Sequence, residues 1–395
     1  MMRLSTYIAL VFIVVFTARA QDELDFKPRL DFDGGLGLFS TDSSFLINFR
    51  FRMQNRAGVF TRAVDDLTID EVEARVRRLR LRMDGFLLDP RFSYYIQLSF
   101  SRGDQDWDNS RVPNVLRDAA LFYFLSPRTY LCFGQTKLPG NRQRVISSGM
   151  QQFAERSIVN AAFNIDRDFG LRIYHEQPVY KMIFRKHLAI SSGEGRNALN
   201  SDDGLAYTSR FEWLPFGLFT MDGDYFEGDL AREPKPKLSV GATISYNENA
   251  IRTGGQIGRF IAETSDIRTF IADGVFKFRG VTLYGEYFFR NATNYLVTEL
   301  DGETTYIPSG NGAHIQASYL LRNNFEIAGR FAQIVPLQEI RTFTQGQSEM
   351  ALGITKYFNN HRTKVQLNIS HFNEHFNLNI RNDRWGLLFQ VEVGI

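Results

Sequence analysis

The chain has a single cysteine, Cys132, in 395 residues, which excludes an internal disulfide. It has only 11 prolines, so little of it is barred from the interior of a sheet. Beyond residue 20 no uncharged apolar run approaches the roughly 20 residues of a spanning helix, and mean hydropathy is −0.25. Charge of one sign is also lacking, with 46 basic against 44 acidic residues. Any preference for ions must therefore come from where charges sit, since their sum is close to zero. Neither a G-x-S-x-G elbow nor a phosphate-binding P-loop occurs, which removes the two commonest sequence routes to hydrolase or nucleotide chemistry.

The first twenty residues differ from the rest. Arg3 precedes an apolar stretch from Ile8 to Phe16, and Ala18-Arg19-Ala20 ends it with the small-x-small pattern of a cleavage site. Residues 1–20 are expected to be a signal peptide cleaved after Ala20, residues 21–43 an N-terminal periplasmic segment, and 44–395 the main structural unit. Cleavage removes Arg3 and Arg19 and leaves 44 basic and 44 acidic residues. The apolar run is too short for a membrane anchor.

What the chain has in quantity is aromatic residues, 14% with 36 Phe, arranged in short runs of strict alternation. In Phe45-Leu46-Ile47-Asn48-Phe49-Arg50-Phe51-Arg52-Met53-Gln54 the odd positions are apolar and Asn48, Arg50, Arg52 and Gln54 are polar. In Arg78-Leu79-Arg80-Leu81-Arg82-Met83-Asp84, Leu79, Leu81 and Met83 oppose Arg78, Arg80, Arg82 and Asp84. Successive side chains of a strand point to opposite faces, so these segments build a greasy outside and a guanidinium-lined inside. A soluble sandwich would not bury the second face, whereas a transmembrane antiparallel β-barrel encloses a wet lumen that accepts it. Such barrels escape hydropathy scales because only alternate residues meet lipid.

Alternating runs recur to the C-terminus, and seventeen are readable, including one at 217–226. Tight turns such as Asp89-Pro90, Ser126-Pro127 and Arg279-Gly280 alternate with long connections such as 137–167 and 291–311, as expected of short periplasmic turns and long outer loops. Counting in this way, 237–247 and 267–278 both run toward the periplasm. An ascending strand is then required between them, and Ile251 to Phe260 is the candidate despite Gly254, Gly255 and Gly258. The expectation is an all-β barrel of the outer-membrane type with 16 to 18 strands, eighteen by direct count.

The stretches Asp31-Phe32-Asp33-Gly34-Gly35-Leu36-Gly37-Leu38, Phe133-Gly134-Gln135-Thr136-Lys137-Leu138-Pro139, Ala154-Glu155-Arg156-Ser157, Ser192-Gly193-Glu194-Gly195-Arg196-Asn197 and Trp213-Leu214-Pro215-Phe216-Gly217 follow one another in an informative order. With Phe226-Glu227-Gly228-Asp229 and His361-Arg362-Thr363-Lys364-Val365-Gln366 they cover nearly the whole chain after residue 20. In these the chain resembles the phosphate-selective porin family (OprO/OprP-like), especially its Bacteroidetes-type members. The resemblance implies a water-filled outer-membrane channel for small anions, phosphate suspected, embedded in outer-membrane lipid as a homotrimer of sixteen-stranded barrels. It implies no cofactor and no catalysis. It also implies arginines and lysines along the pore and loops folded in to narrow it.

On that basis Arg50, Arg52, Arg78, Arg80 and Arg82 are the candidate anion pathway, with Lys137 near the constriction. A hairpin turning near Asp65-Asp66 places Arg50 opposite Arg80 and Arg52 opposite Arg78, partners about 5 Å apart. A guanidinium fork matches two oxyanion oxygens and stays charged, and a row of them offers a passing anion successive partners. The same arginines equally suit pairing with Asp118 or with Asp70, Glu71 and Glu73, holding loops in place. The connection from Lys137 to Arg167 is long enough to be functional and carries Arg142, Arg144 and Arg156, which become constriction residues if it folds inward.

Two motifs do not carry their usual chemistry. His371-Phe372-Asn373-Glu374-His375 fits a zinc-hydrolase pattern, but Val365, Leu367 and Ile369 set a strand, which separates positions four apart by about 13 Å. Gly193-Glu194-Gly195-Arg196-Asn197-Ala198 fits a dinucleotide fingerprint without the helix that must follow. Balanced charge and lipid-facing alternation oppose nucleic-acid binding. A general non-selective porin, a plugged structural barrel and a barrel-embedded hydrolase are the alternative functions.

Overall fold

The computed structural model describes residues 26–31, 35–40, 44–105, 114–198, 204–299, 302–375 and 381–395; the expected leader, 1–20, lies outside them. A hairpin of β1 (Phe26–Asp31) and β2 (Gly35–Ser40) comes first, within the segment expected to precede the barrel. Then follow β3 (Phe45–Thr61), β4 (Ile69–Leu87), β5 (Phe92–Ser99), β6 (Leu116–Ser126), β7 (Thr129–Lys137), β8 (Arg167–Val179), β9 (Met182–Ser191) and β10 (Ala206–Leu214). The second half holds β11 (Lys237–Arg252), β12 (Phe260–Phe278), β13 (Val281–Ala292), the small hairpin of β14 (Leu296–Thr298) and β15 (Thr304–Tyr306), and β16 (Gly310–Leu320). β17 (Phe325–Pro336), β18 (Gln347–Asn359), β19 (Thr363–His375) and β20 (Arg381–Gly394) complete it.

Each strand of the main sheet pairs antiparallel with its neighbour, and β20 returns to β3 with Phe389 opposite Ala57, closing the ring. Of the eighteen strands in that sheet, β1 and β2 lie off the ring, so sixteen form the barrel among the described residues. β2 pairs with Leu46–Phe49 of β3, beyond the last β20 pair at Gly394–Arg52, and so continues the line of β20 along the same edge. That edge is thereby covered, as an unpaired strand edge must be.

Sixteen, not eighteen, is the result, and two segments account for the difference. Residues 217–226 form no strand: a 3-10 segment at Thr220–Tyr225 contains Met221 and Asp222 with φ of 53° and 54°, which a strand cannot contain. Ile251 to Phe260 is a tight turn at the tip of β11 and β12, with Gly254 N–H donating to Ile257 O at 2.9 Å and Gly255 and Gly258 at φ +76° and +97°. The second error followed from the first, because a false strand at 217–226 reversed the direction of everything after it. With both removed, β10, β11 and β12 alternate correctly.

The burial pattern is inside-out relative to a soluble protein. β10 reads buried Thr208, Arg210 and Glu212 against exposed Tyr207, Phe211 and Trp213. β16 buries His314, Gln316 and Ser318 and exposes Ile315 and Tyr319. The apolar band faces lipid and the polar rows face the lumen.

The lumen is partly filled. At the rim bearing the termini most connections are short, as at Arg279-Gly280, where φ of 48° and 87° suit a two-residue hairpin turn. Residues 215–236 are the exception and fold inward: Lys277 Nζ donates to the carbonyls of Gly223 (2.6 Å), Phe226 (2.9 Å) and Gly228. From the opposite rim residues 138–166 also fold inward, carrying α1 (Arg142–Val145) and α2 (Ile158–Phe163). Leu138, Val159, Phe163 and Ile165 pack on Ile271, Phe288, Ala332 and Ile334 of the inner wall, and Phe153 on Ala328 and Ala351. Burying such side chains contributes on the order of 2 kcal/mol each. Gly312 makes room for this loop, since a Cβ there would lie 2.6 Å from Val159 Cγ1 and 2.8 Å from Phe163 Cδ2. The two in-folded segments meet where Glu227 N–H donates to Met150 O at 2.9 Å.

Candidate functional site

Within the first hairpin the register differs from the expected one by two residues. Arg50 opposes Arg82, Arg52 opposes Arg80, and Gln54 opposes Arg78. The turn is where it was expected, with Thr61 opposite Ile69, but bulges at Gln54/Asn55 and Phe60/Thr61 each insert one residue into β4. The bulge beside Gln54 leaves Arg77 without an opposite residue, and its guanidinium joins that of Arg78 on Glu155.

The five arginines of these strands occupy two environments. Arg50 and Arg82 are about one-third exposed (36% and 37%), lie 3.7 and 2.7 Å from Asp84, and face a cavity of about 530 Å³ at the terminal rim. Arg82 also lies over the Tyr95 ring at 4.6 Å. Arg52, Arg78 and Arg80 touch the in-folded loop. Arg52 donates to Ser147 Oγ (2.9 Å) and Ser148 Oγ (3.0 Å), with Glu392 at 3.7 Å. Arg78 donates to Gln54 Oε1 (2.9 Å) and pairs with Glu155 at 3.5 Å. Arg80 donates to Asp104 Oδ2 from Nε (2.8 Å) and Nη2 (2.6 Å) and to Ser148 Oγ from Nη1 (3.1 Å). Pore lining and loop holding thus coincide, although the carboxylates are Asp104 and Glu155; Asp118 pairs with Arg167, and Glu73 with Arg56 and Arg75.

The loop arginines part company. Arg142 is fully buried against the far wall, 2.6 Å from Asp273 and 3.4 Å from Glu212, with Ser239 Oγ at 2.9 Å. It belongs to an ion-pair network with Arg210 and Arg185, away from the open path. Arg144 is forked onto Asp166. Arg156 meets no carboxylate among the described residues: it donates to the carbonyls of Gln143 (2.8 Å) and Ile146 (2.9 Å). Lys137 likewise donates to Val145 O at 2.6 Å and Ile146 O at 3.4 Å. The two cations thus converge on carbonyls at the C-terminal end of α1.

Arg78, Arg80, Arg156 and Lys137 border a cavity of about 170 Å³ on the loop side. Among the described residues, nine cationic side chains face it against the carboxylates of Asp104 and Asp166. Burial first, and then the nearby Arg144, Arg78 and Arg80, push the Arg156 guanidinium well below its usual pKa. Burial would raise the Glu155 carboxyl, but Arg78, Arg77 and Arg56 outweigh it and hold the group well below the usual carboxylate range. Asp104 and Asp166 are held down in the same way by Arg80 and Arg117 and by Arg144 and Arg167. Lys137 borders this cavity, the one lined by Arg50 and Arg82, and a third of about 700 Å³.

Four of the surrounding cations escaped the sequence reading. Arg77 is the bulge residue, and the doubled Arg77-Arg78 breaking the alternation was its signal. Arg117 lies at a second bulge, opposite the Gln97/Leu98 step, 3.2 Å from Asp104. Arg167, at the first position of β8, pairs with Asp118 at 2.9 Å. Arg196 sits in the G-x-G-x-x-A stretch, a loop tip wrapped on Asp168, which accepts from the N–H groups of Gly193 (2.7 Å) and Gly195 (3.2 Å). No helix follows it among the described residues, and Arg196 Nη2 donates to Asp104 O at 3.2 Å. His371 lies in β19 with Nε2 2.7 Å from Asp383, and no metal-holding group of side chains occurs among the described residues.

A closed sixteen-stranded antiparallel barrel with a lipid-facing apolar band and a loop folded across its lumen defines an outer-membrane porin. The family model described as "Phosphate-selective porin O and P" matches residues 47–234 of this chain, from β3 to the segment after β10. The match extends to the family and not to any bacterial group. Comparison with curated proteins gives no match. Among solved structures, the fold is similar to an anion-selective porin from Comamonas acidovorans, at 10% identity and TM-score 0.54 over 89% of this chain and 100% of that one. It is also similar to the outer membrane channel DcaP of Acinetobacter baumannii, at 12% identity and TM-score 0.54 over 90% and 99%. OmpT of Vibrio cholerae in its trimer form gives 8% identity and TM-score 0.52 over 88% and 99%. The match to a porin family makes the chain a channel and not an enzyme.

Proposed function

We propose that this porin passes small anions, which enter through the 170 Å³ cationic cavity, cross beside Lys137 and Arg156, and leave along Arg80, Arg52, Arg82 and Arg50. The observation that carries this reading is the pairing of Lys137 and Arg156 with carbonyls in place of carboxylates, beside a cavity lined by nine cations among the described residues. Surplus charge in a low-dielectric wall attracts counter-ions, and the sharing of an anion among successive guanidiniums lets it leave again. Oxyanions fit the forked donors best, and phosphate is the solute we favour within this class. The channel works as a homotrimer, as the trimeric OmpT neighbour suggests, after removal of residues 1–20 on export.

A bilayer recording in a KCl gradient tests the reading. The zero-current potential is expected on the chloride side, and added phosphate is expected to reduce chloride current. A potential on the potassium side overturns anion passage, and an absence of phosphate block restricts the channel to anions in general. A plugged barrel is the second reading, favoured by the two in-folded segments that meet at Met150 and Glu227. Absence of any conductance from inserted protein decides for it.

A further inference from the structure

Towards the terminal rim the lumen divides. One half is the cavity lined by Arg50, Arg52 and Arg82, and the other, of about 700 Å³, is walled by rings. Phe124, Tyr130, Tyr174 and His187 lie directly across from one another on β6, β7, β8 and β9, with Phe122 one inward position further along β6. Tyr130 and Tyr174 stack at 4.5 Å with planes 17° apart; Phe124 lies 5.2 Å from Tyr130, and His187 meets Tyr174 edge-on at 4.7 Å. None of these rings is fully buried, so they present apolar faces to a wet space.

This arrangement opposes the pattern of the rest of the barrel. Elsewhere among the described residues the inner face is polar or its apolar side chains lie under a packed segment, as Ile271 and Phe288 under Phe163 and Ala328 and Ala351 beneath Phe153. The loop clusters do not include the ring row, whose faces therefore stay available. The volume lies within the range of small-molecule sites. Of the arginines lining it, Arg185 is engaged by Asp224 at 2.6 Å and Glu176 at 2.9 Å and Arg210 by Asp273 at 2.6 Å, while Arg128 stands exposed at the β6–β7 turn. Lys137 is the bordering cation held by carbonyls alone.

We propose that this ring-walled cavity binds the flat apolar body of a permeating organic anion, an aromatic carboxylate, while Lys137 holds its charged end. The proposal rests on the anion reading above and adds a solute class to it. Stacking on the Tyr130–Tyr174 row supplies an affinity that inorganic anions lack, and adjacent guanidiniums on the other half give the carboxylate its way out.

The test is block of chloride current by benzoate and by acetate, added separately to the same bilayer after the zero-current potential has been read. Benzoate is expected to halve the current at a concentration about tenfold below that of acetate, the ratio a ring contact supplies. In the double variant Tyr130→Ser, Tyr174→Ser the two concentrations are expected to converge, while a chloride-side potential reports an intact channel. If that variant does not insert, His187→Ser at the end of the row is expected to narrow the ratio. Equal block by both anions in the unaltered channel, or an unchanged ratio in the variants, overturns the proposal and leaves the anion reading standing. A potassium-side potential before either addition overturns the anion reading, and this one with it.

Discussion

Arg142 and Arg156 stand fourteen residues apart on one in-folded loop and differ in everything but chemistry. Arg142 is enclosed by Asp273, Glu212 and Asp224, and Arg156 by backbone carbonyls and other cations. The first is a rivet, since its charge is cancelled within 4 Å. The second, like Lys137, is held by carbonyls and meets no carboxylate among the described residues. On the proposed function the loop uses one kind of cation to hold itself in place and the other to shape the field.

The largest effect is expected at the rivet. Arg142→Ala leaves the buried carboxylates of Asp273, Glu212 and Asp224 to Arg210 and Arg185 alone, and breaking such a buried network costs about 3–5 kcal/mol. Denaturant unfolding of the detergent-solubilised barrel measures it, and a loss under about 1 kcal/mol would collapse the distinction. Glu155→Gln comes next. It removes the carboxylate shared by Arg56, Arg77 and Arg78, is expected to cost about 1–3 kcal/mol, and raises the anion preference because Arg77 and Arg78 lose their counter-charge while Arg56 keeps Glu73. Gly312→Val presses on Val159 and Phe163 of α2 at a cost of about 1–3 kcal/mol. It should shift the loop and change single-channel conductance while selectivity keeps its sign.

Acid gives a smaller effect of known direction. The folded pKa of Glu155 is depressed below its ordinary value of 4.5, so the loop stabilisation it supplies is complete above that value and is lost as pH falls below it. Asp104 and Asp166, depressed below 3.8, follow at lower pH. Conductance is expected to hold steady from neutral pH down to about 5 and to become noisy or rise in stronger acid, as the loop leaves the β3–β4 wall. A change centred near neutral pH would point to a histidine instead.

The contrast between the two arginines was invisible in the sequence for a definite reason. Alternation is a local property, so the faces of β3, β4 and β16 could be read directly, and the greasy outside and charged inside followed. The path of residues 138–166 depends on small inner-wall residues such as Gly312 and Ala332, supplied by strands far along the chain, and no local pattern points to them. Arg142 was accordingly expected beside Arg156 in the constriction. The residues at 217–226 alternate as a strand does, yet Met221 and Asp222 turn left-handed because the segment is held by Lys277 and by packing of Phe219 against Val275. Bulges beside Gln54 and at Thr61 moved the arginine ladder by two places, and only the doubled Arg77-Arg78 hinted at the first.

The central claim is that carbonyl-held cations, and not the arginine rows as such, set the ion preference. The most direct measurement is the zero-current potential in a KCl gradient for the unaltered channel and for the double variant Lys137→Gln, Arg156→Gln. A chloride-side potential is expected in the first and a large shift toward zero in the second, with the barrel still inserted. An unchanged potential in the double variant would contradict it.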